Sequence, residues 1–261
     1  MHAMQGSVHR TFAVAQETFR QTARDRTSAV LVGLALAAMM TSVVLAPLAL
    51  GEAPRVVADT GLVVVVLTCL AVLTTSSASL LTREIDRKTL LHVLSTPVRR
   101  REYVLGRAAG LFATGTLVAT VLCTVHLALL AAMTGTIWWS LVGANLLALA
   151  EVAVLVAVLS VFSAFSTPGL TACLTVGVFV IGHGSADLLA AVGRLTPAAQ
   201  WTARALYIAL PHLDMLNARA AAVHAGSVGL DQIRWGWAYA VVYASALLAL
   251  ATVLFERREL V

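Results

Sequence analysis

Charged residues are scarce in this sequence. Only 12% of its 261 residues are Asp, Glu, Lys or Arg, and 59% are hydrophobic. A soluble domain of this size carries roughly 25% charged residues. Half that fraction leaves too little polar surface to cover a water-soluble globule, so lipid must cover much of the protein. The composition therefore predicts an all-α membrane protein and leaves little room for a separate catalytic domain.

Cysteine and lysine are also rare. The three cysteines, Cys69, Cys123 and Cys173, lie in apolar stretches, and an odd buried set excludes a disulfide framework. We expect them to act as small hydrophobic residues in helix packing. The only lysine, Lys88, has Arg87 rather than glycine before it, whereas a phosphate-binding loop requires Gly-Lys-Ser/Thr. If ATP drives this protein, another chain binds it; we expect no catalytic residue and no cofactor on this one.

Six apolar stretches are long enough to cross a membrane, which takes roughly 20 residues of helix. They predict six transmembrane helices within a membrane domain over residues 28–255. Their bounds are Ser28–Leu50, Thr60–Leu81, Ala108–Met133, Leu141–Phe162, Leu170–Val192 and Trp235–Phe255.

The basic residues predict the orientation of these spans. Thirteen of the eighteen Lys and Arg residues fall in the N-terminal arm, between the second and third spans, and at the C-terminus. The positive-inside rule then places both termini in the cytoplasm and the protein in the inner (cytoplasmic) membrane. Trp138, Trp139, Trp235 and Trp237 lie near the opposite ends of the spans, as an interfacial belt would. The net charge of +5 thus reflects topology and not a nucleic-acid partner.

The cytoplasmic arm, residues 1–27, contains an amphipathic pattern over Val8–Arg26. Apolar residues including Phe12 and Phe19 recur at helical spacing, and Glu17 and Arg20 lie elsewhere around the turn. This pattern predicts a helix lying on the cytoplasmic leaflet; the alternative is a helix that faces only water. The tail, residues 256–261, is also expected in the cytoplasm.

Two connecting segments are unusual. Residues 82–106 are the most charged part of the chain, yet Glu84–Leu94 contains apolar residues that the bundle or a partner protein must cover. Pro97 ends this predicted helix. Residues 193–234 are too apolar for an exposed loop, which predicts re-entrant helices broken at Pro197 and Pro211.

A few ionisable residues fall inside the predicted spans. Glu151 lies about 15 Å deep in the fourth span, where a carboxylate costs on the order of 3 kcal/mol. It therefore lines a translocation path or subunit interface, or makes a hydrogen bond in helix packing. His183 and Asp187 share a helix face and are candidates for the same path or interface. Two ligands do not complete a metal site, and we expect none.

The segment Glu84–Arg107 resembles the first cytoplasmic loop of type-2 ABC exporter permeases. The matching residues are Thr89, Leu90, Leu94, Pro97, Val98, Arg101, Glu102, Gly106 and Arg107. Lys88 departs from the pattern, since the family usually has glycine there. Glu17–Arg26 is similar to the family's N-terminal interfacial helix, and Tyr207–Asn217 resembles the segment before the last span in one branch.

The resemblance implies a six-span half-transporter that pairs with a second permease subunit, identical or different, and with two ABC ATPase subunits that bind ATP and Mg²⁺. It implies that residues 82–106 form a coupling segment and residues 193–234 an extracellular gate, and that transport is export. The residues implied in coupling are Glu84, Arg87, Lys88, Thr89, Leu90, Leu94, Pro97, Arg101 and Glu102.

Two other functions compete with this interpretation. A lipid-modifying membrane enzyme would need a cluster of acids or histidines at one membrane face, and the sequence shows none. An ion-coupled secondary transporter using Glu151 and His183 would predict inverted repeats, and the two halves of the sequence show none.

Overall fold

The computed structural model describes residues 2–49, 51–86, 99–185, 200–201, 210–225 and 227–257, and within them the chain is all-helical. The α-helices are α1 His2–Ala23, α2 Arg26–Leu45, α3 Ala53–Asp86, α4 Arg100–Thr134, α5 Trp139–Phe165, α6 Pro168–His183 and α7 Leu230–Arg257. Short 3-10 helices cover Ala46–Ala49 and Leu213–Leu216, and a single π-turn covers Ala221–Ala225.

Five helices of the described chain are long and apolar enough to cross a membrane. They extend over Arg26–Leu48, Ala53–Leu80, Arg100–Thr134, Trp139–Phe165 and Leu230–Arg257, and five of the six predicted spans coincide with them. The remaining predicted span, Leu170–Val192, coincides at its start with the shorter apolar helix Pro168–His183. Its last residues, 186–192, lie outside the described residues, so a sixth span stays a prediction.

The third and fourth helices are longer than an apolar layer requires. Helix α3 has 34 residues and α4 has 35, or about 50 Å each against roughly 30 Å of hydrocarbon. Each is therefore long enough to extend past such a layer. We name the end of the bundle that carries Arg99, Arg100 and Arg101 the arginine end. The opposite end, which carries Trp138 and Trp139, is the tryptophan end.

Helix α5 forms the centre of the bundle. Apolar residues predominate on all its sides, which is typical of a helix surrounded by other helices, and most of its residues are buried. Helix α7 runs alongside it in the same direction. Gly143 of α5 packs against Ile233 of α7, and further along both helices Leu147 packs against Gly236.

A tight turn reverses the chain between α5 and α6. Pro168 begins α6, where its missing N–H costs nothing, and the Ser166 and Thr171 hydroxyls hydrogen-bond at 2.9 Å across the turn. Helices α5 and α6 therefore run in opposite directions from Thr167. Glu151 lies sixteen residues before Thr167 and His183 sixteen residues after it, so the two side chains reach the same height in the bundle.

Helix α1 packs lengthwise against the first turns of α4. Arg10 contacts Glu102, and twelve residues further along each helix Thr22 contacts Thr114. The two residues of each pair are 92 positions apart in the sequence, so the helices run in the same direction. Between these pairs, Gly106 and Gly110 of α4 meet the backbone of α1, since a Cβ at Gly110 would lie 2.6 Å from the Ala15 carbonyl oxygen. Small residues four apart allow two helices to approach this closely.

Candidate functional site

A cavity of about 320 Å³ opens between α3, α5, α6 and the segment after the Leu213–Leu216 helix. Most of its wall is apolar, contributed by residues such as Leu62, Val66, Ala148 and Phe179. The polar residues of the wall are Glu151, His183, Asn217 and Arg219. An apolar pocket with a few convergent polar groups is the usual form of a small-molecule site.

Glu151 and His183 face each other inside this cavity. The Glu151 Oε1 atom lies 3.5 Å from His183 Nε2, and Glu151 is only 2% exposed. On its other side, the His183 ring contacts Phe179, with Nδ1 3.2 Å from the Phe179 carbonyl oxygen. The structure thus brings together two of the three candidate residues for the translocation path; the third, Asp187, lies outside the described residues.

One residue of the cavity wall, Arg219, forms an ion pair with Asp59. The Arg219 Nε atom lies 3.0 Å from Asp59 Oδ1, and both side chains are half-exposed. This bond ties the segment before α7 to the start of α3. Sequence reasoning missed the pair because 160 residues separate its members and no local pattern relates them.

The described residues contain no group of three or more His, Cys, Asp or Glu side chains that would hold a metal ion. His126, the other histidine of a predicted span, lies apart from the cavity. It packs on Gly61, and its Nε2 atom is 3.2 Å from the Val57 carbonyl oxygen. Its position is that of a packing residue.

A second polar cluster lies at the arginine end, around Glu102. The Arg10 guanidinium donates two hydrogen bonds to the Glu102 carboxylate, at 2.8 and 2.9 Å, and the Arg99 backbone N–H donates a third at 3.1 Å. Glu102 is 4% exposed. The side-chain hydrogen bond to Glu102 raises the pKa of Arg10 above its ordinary value.

Neighbouring residues tie the first turns of α4 to two more helices. Arg101 Nε lies 2.6 Å from Glu256 Oε1 on α7, and Arg107 Nη2 donates to the Ser77 carbonyl oxygen on α3 at 3.2 Å. Arg101 and Glu102 therefore bind within this chain, and their role in coupling stays a prediction. The other predicted coupling side chains lie outside the described part: Glu84, Arg87, Lys88, Thr89, Leu90, Leu94 and Pro97.

The predicted interfacial residues occupy the outer surface of α1. Phe12 is 66% exposed, Phe19 is half-buried, and Glu17 and Arg20 are exposed. The face of α1 toward α4 is built from Val14, Ala15 and Thr18, and Phe12 is not part of it. The prediction that α1 lies on the leaflet is untested by this arrangement.

The family model described as "ABC-2 family transporter protein" matches residues 70–260, nearly three-quarters of the chain. The chain belongs to the ABC-2 transporter family. The resemblance seen in the first loop is thereby confirmed, and the protein is an ABC-2 permease membrane domain with multiple helical spans. A search of curated proteins finds no match.

Membership has direct consequences for the chemistry. ABC-2 permeases are typically non-catalytic membrane subunits that work with ABC ATPase subunits, and no cofactor site is expected on the permease chain itself. The matched range includes Glu102, Glu151, His183 and Arg219. Helices α1 and α2 and the first part of α3, with Arg10, Asp59 and the cavity residue Leu62, lie before it.

Proposed function

We propose that this chain forms half of a translocation path for export, pairs with a second permease subunit, and couples the path to ATP hydrolysis by a separate ATPase. The observation that carries this proposal is the cavity inside the bundle that holds Glu151 and His183. A carboxylate in an apolar bundle costs on the order of 3 kcal/mol and usually faces a cavity or a partner.

The cavity opens on a surface that another subunit would cover. Leu67 and Val180, on its rim, are 48% and 62% exposed. A second permease subunit against this rim would enclose a path between the two subunits. Residues 193–234 would then serve as the outer gate; the described part of this segment places Asn217 and Arg219 in the cavity wall.

The arginine end supports a coupling role for residues 82–106. Helix α3 leads into this segment and α4 leads out of it. Helix α4 is bound to α1 through Glu102, to α3 through Arg107 and to α7 through Arg101. An ATPase that moved the Glu84–Leu94 helix would therefore move α4 and its bound helices together.

Cysteine labelling tests the proposed orientation, with both termini in the cytoplasm and six spans. In a chain whose three native cysteines are replaced, we expect Ala220→Cys to react with a membrane-impermeant thiol reagent in intact cells. Arg100→Cys should react only after the cells are permeabilised, because the positive-inside rule places the arginine end in the cytoplasm. Labelling of position 100 in intact cells would contradict the orientation.

Shortening two leucine side chains of the predicted coupling helix tests whether this helix binds the ATPase. Loss of a buried interface anchor typically costs about 2 kcal/mol or more, roughly thirtyfold in affinity. We expect Leu90→Ala with Leu94→Ala to leave the protein inserted but to lower the amount of ATPase retained per permease after detergent extraction. The matched control is Leu34→Ala with Leu250→Ala, two exposed leucines of α2 and α7. Equal retention in both double variants would refute the coupling assignment.

A further inference from the structure

Glu151 is a buried acceptor without a donor. Its Oε1 atom lies in the wall of the cavity and makes no hydrogen bond to any residue that the structure describes. Its contact with His183 Nε2, at 3.5 Å, lacks hydrogen-bond geometry. A buried carboxylate oxygen without a donor is costly, so this atom needs a hydrogen from water, from a ligand or from its own protonation.

The hydrogen bonding of His183 fixes what its ring offers. Nδ1 lies 3.2 Å from the Phe179 carbonyl oxygen, and a carbonyl oxygen only accepts, so Nδ1 carries the proton. In the neutral ring, Nε2 then carries no proton and is an acceptor, like Glu151 Oε1. Two acceptors, Glu151 Oε1 and His183 Nε2, thus face each other across 3.5 Å.

A hydrogen shared between these acceptors would remove their repulsion. A proton supplies one such hydrogen, and an N–H group of a cationic ligand supplies two or more together with a compensating charge. The nearby cation does not fill this role, because Arg219 is bound to Asp59 at 3.0 Å. The rest of the wall is largely apolar, with the Phe179 ring beside His183.

We infer that this cavity binds the primary or secondary ammonium group of a small amphiphile, with N–H bonds to Glu151 and His183 and an apolar body against α3 and α6. This inference rests on the proposed function, since it names the substrate class of the translocation path. A volume of about 320 Å³ equals that of roughly ten waters at about 30 Å³ each, which suits a ligand of similar atom count. A quaternary ammonium has no N–H and does not satisfy the two acceptors.

The same ammonium chemistry has two sources: a soluble amine and the ethanolamine headgroup of a membrane lipid. The test uses the purified chain in phosphatidylcholine nanodiscs, with 2-phenylethylamine as the probe and binding followed by ligand-observed NMR. Its N,N,N-trimethyl analogue and 2-phenylethanol are the matched ligands. Glu151→Gln is the test variant, and Glu52→Gln, an exposed acid paired with Arg55, is the matched control.

We expect saturable binding of 2-phenylethylamine to the wild-type chain and the Glu52→Gln chain, and at least tenfold weaker binding to Glu151→Gln, because hydrogen bonds to charged groups are the stronger class. The trimethyl analogue and the alcohol should bind weakly to all three. Repeating the measurement with phosphatidylethanolamine in the nanodisc identifies the source: weaker probe binding assigns the lipid headgroup, and unchanged binding assigns a soluble amine.

Absence of saturable binding, equal binding by Glu151→Gln, or equal binding of the trimethyl analogue would overturn the inference. These measurements use the permease alone, whereas the coupling assignment depends on ATPase retention. Failure of ligand binding therefore leaves the permease proposal to its own test, and a failure of ATPase retention leaves the ammonium site in place.

Discussion

Replacing Gly110 with leucine is expected to free α1 from α4. A Cβ at this position would lie 2.6 Å from the Ala15 carbonyl oxygen and the same distance from Thr18 Cβ, so backbone atoms and not a flexible side-chain tip must move. Overpacking of a close contact typically costs about 1–3 kcal/mol. Separation of the helices would also break the ion pair between Arg10 and Glu102.

We expect Gly110→Leu to lower the apparent Tm in detergent and to speed tryptic cleavage after Arg20 and Arg24. Gly177→Leu is the matched control, because a Cβ at Gly177 on α6 meets no atom within 4 Å. The control should unfold and be cleaved like the wild type. Identical melting and cleavage of the two leucine variants would show that the close approach of α1 and α4 contributes nothing to stability.

Replacing Glu151 with leucine is expected to abolish or strongly reduce transport while leaving the fold intact. Removal of the carboxylate relieves an insertion cost on the order of 3 kcal/mol, and leucine adds apolar surface to a wall that is already apolar. The apparent Tm should therefore stay the same or rise. Transport, and the part of the ATPase rate that substrate stimulates, should fall because the polar group of the path is gone.

The control is Glu52→Leu, which removes an exposed carboxylate outside the cavity and should transport at the wild-type rate. Wild-type transport by Glu151→Leu would favour the alternative in which Glu151 serves only helix packing. A lower Tm together with lost transport would indicate a structural role, since the two readouts would then fall together.

The spans were predictable because length and apolarity are properties of contiguous sequence. Glu151 was predictable as a special residue for the same reason, since a carboxylate stands out within an apolar run. Predicting its contact with His183 required one further step. Glu151 and His183 are the same number of residues away from the turn at Thr167 and Pro168, so two helices that reverse at this turn bring them to the same height. Both residues of that turn are visible in the sequence, so this pairing was within reach.

The ion pairs were not predictable in this way. Arg10 and Glu102 are 92 residues apart, and Arg219 and Asp59 are separated further, so neither pair leaves a periodic signal. The close approach of α1 and α4 did leave one, in the spacing of Gly106 and Gly110. That spacing is typical of close helix packing in membranes, but it does not name the partner helix.

The predicted sixth span is described over only part of its length. Helix α6 has 16 residues as described, Pro168–His183, about 24 Å at 1.5 Å per residue. A continuous apolar run from Leu170 to Val192 predicts a longer helix, and the last seven residues of that run, 186–192, fall outside the described residues. Apolarity does not distinguish a spanning helix from a shorter one that continues into buried, non-helical chain.

The constant separation of 92 residues between α1 and α4 has a consequence for how the protein is made. Helix α1 leaves the ribosome before α4, because its docking surface on α4 is translated 92 residues later. At about 5–20 residues per second, that interval is roughly 5 to 20 s. During this time α2 and α3 are synthesised while Arg10 has no Glu102 to bind. The close contact between α1 and α4 therefore forms only after the two helices between them, α2 and α3, have been made.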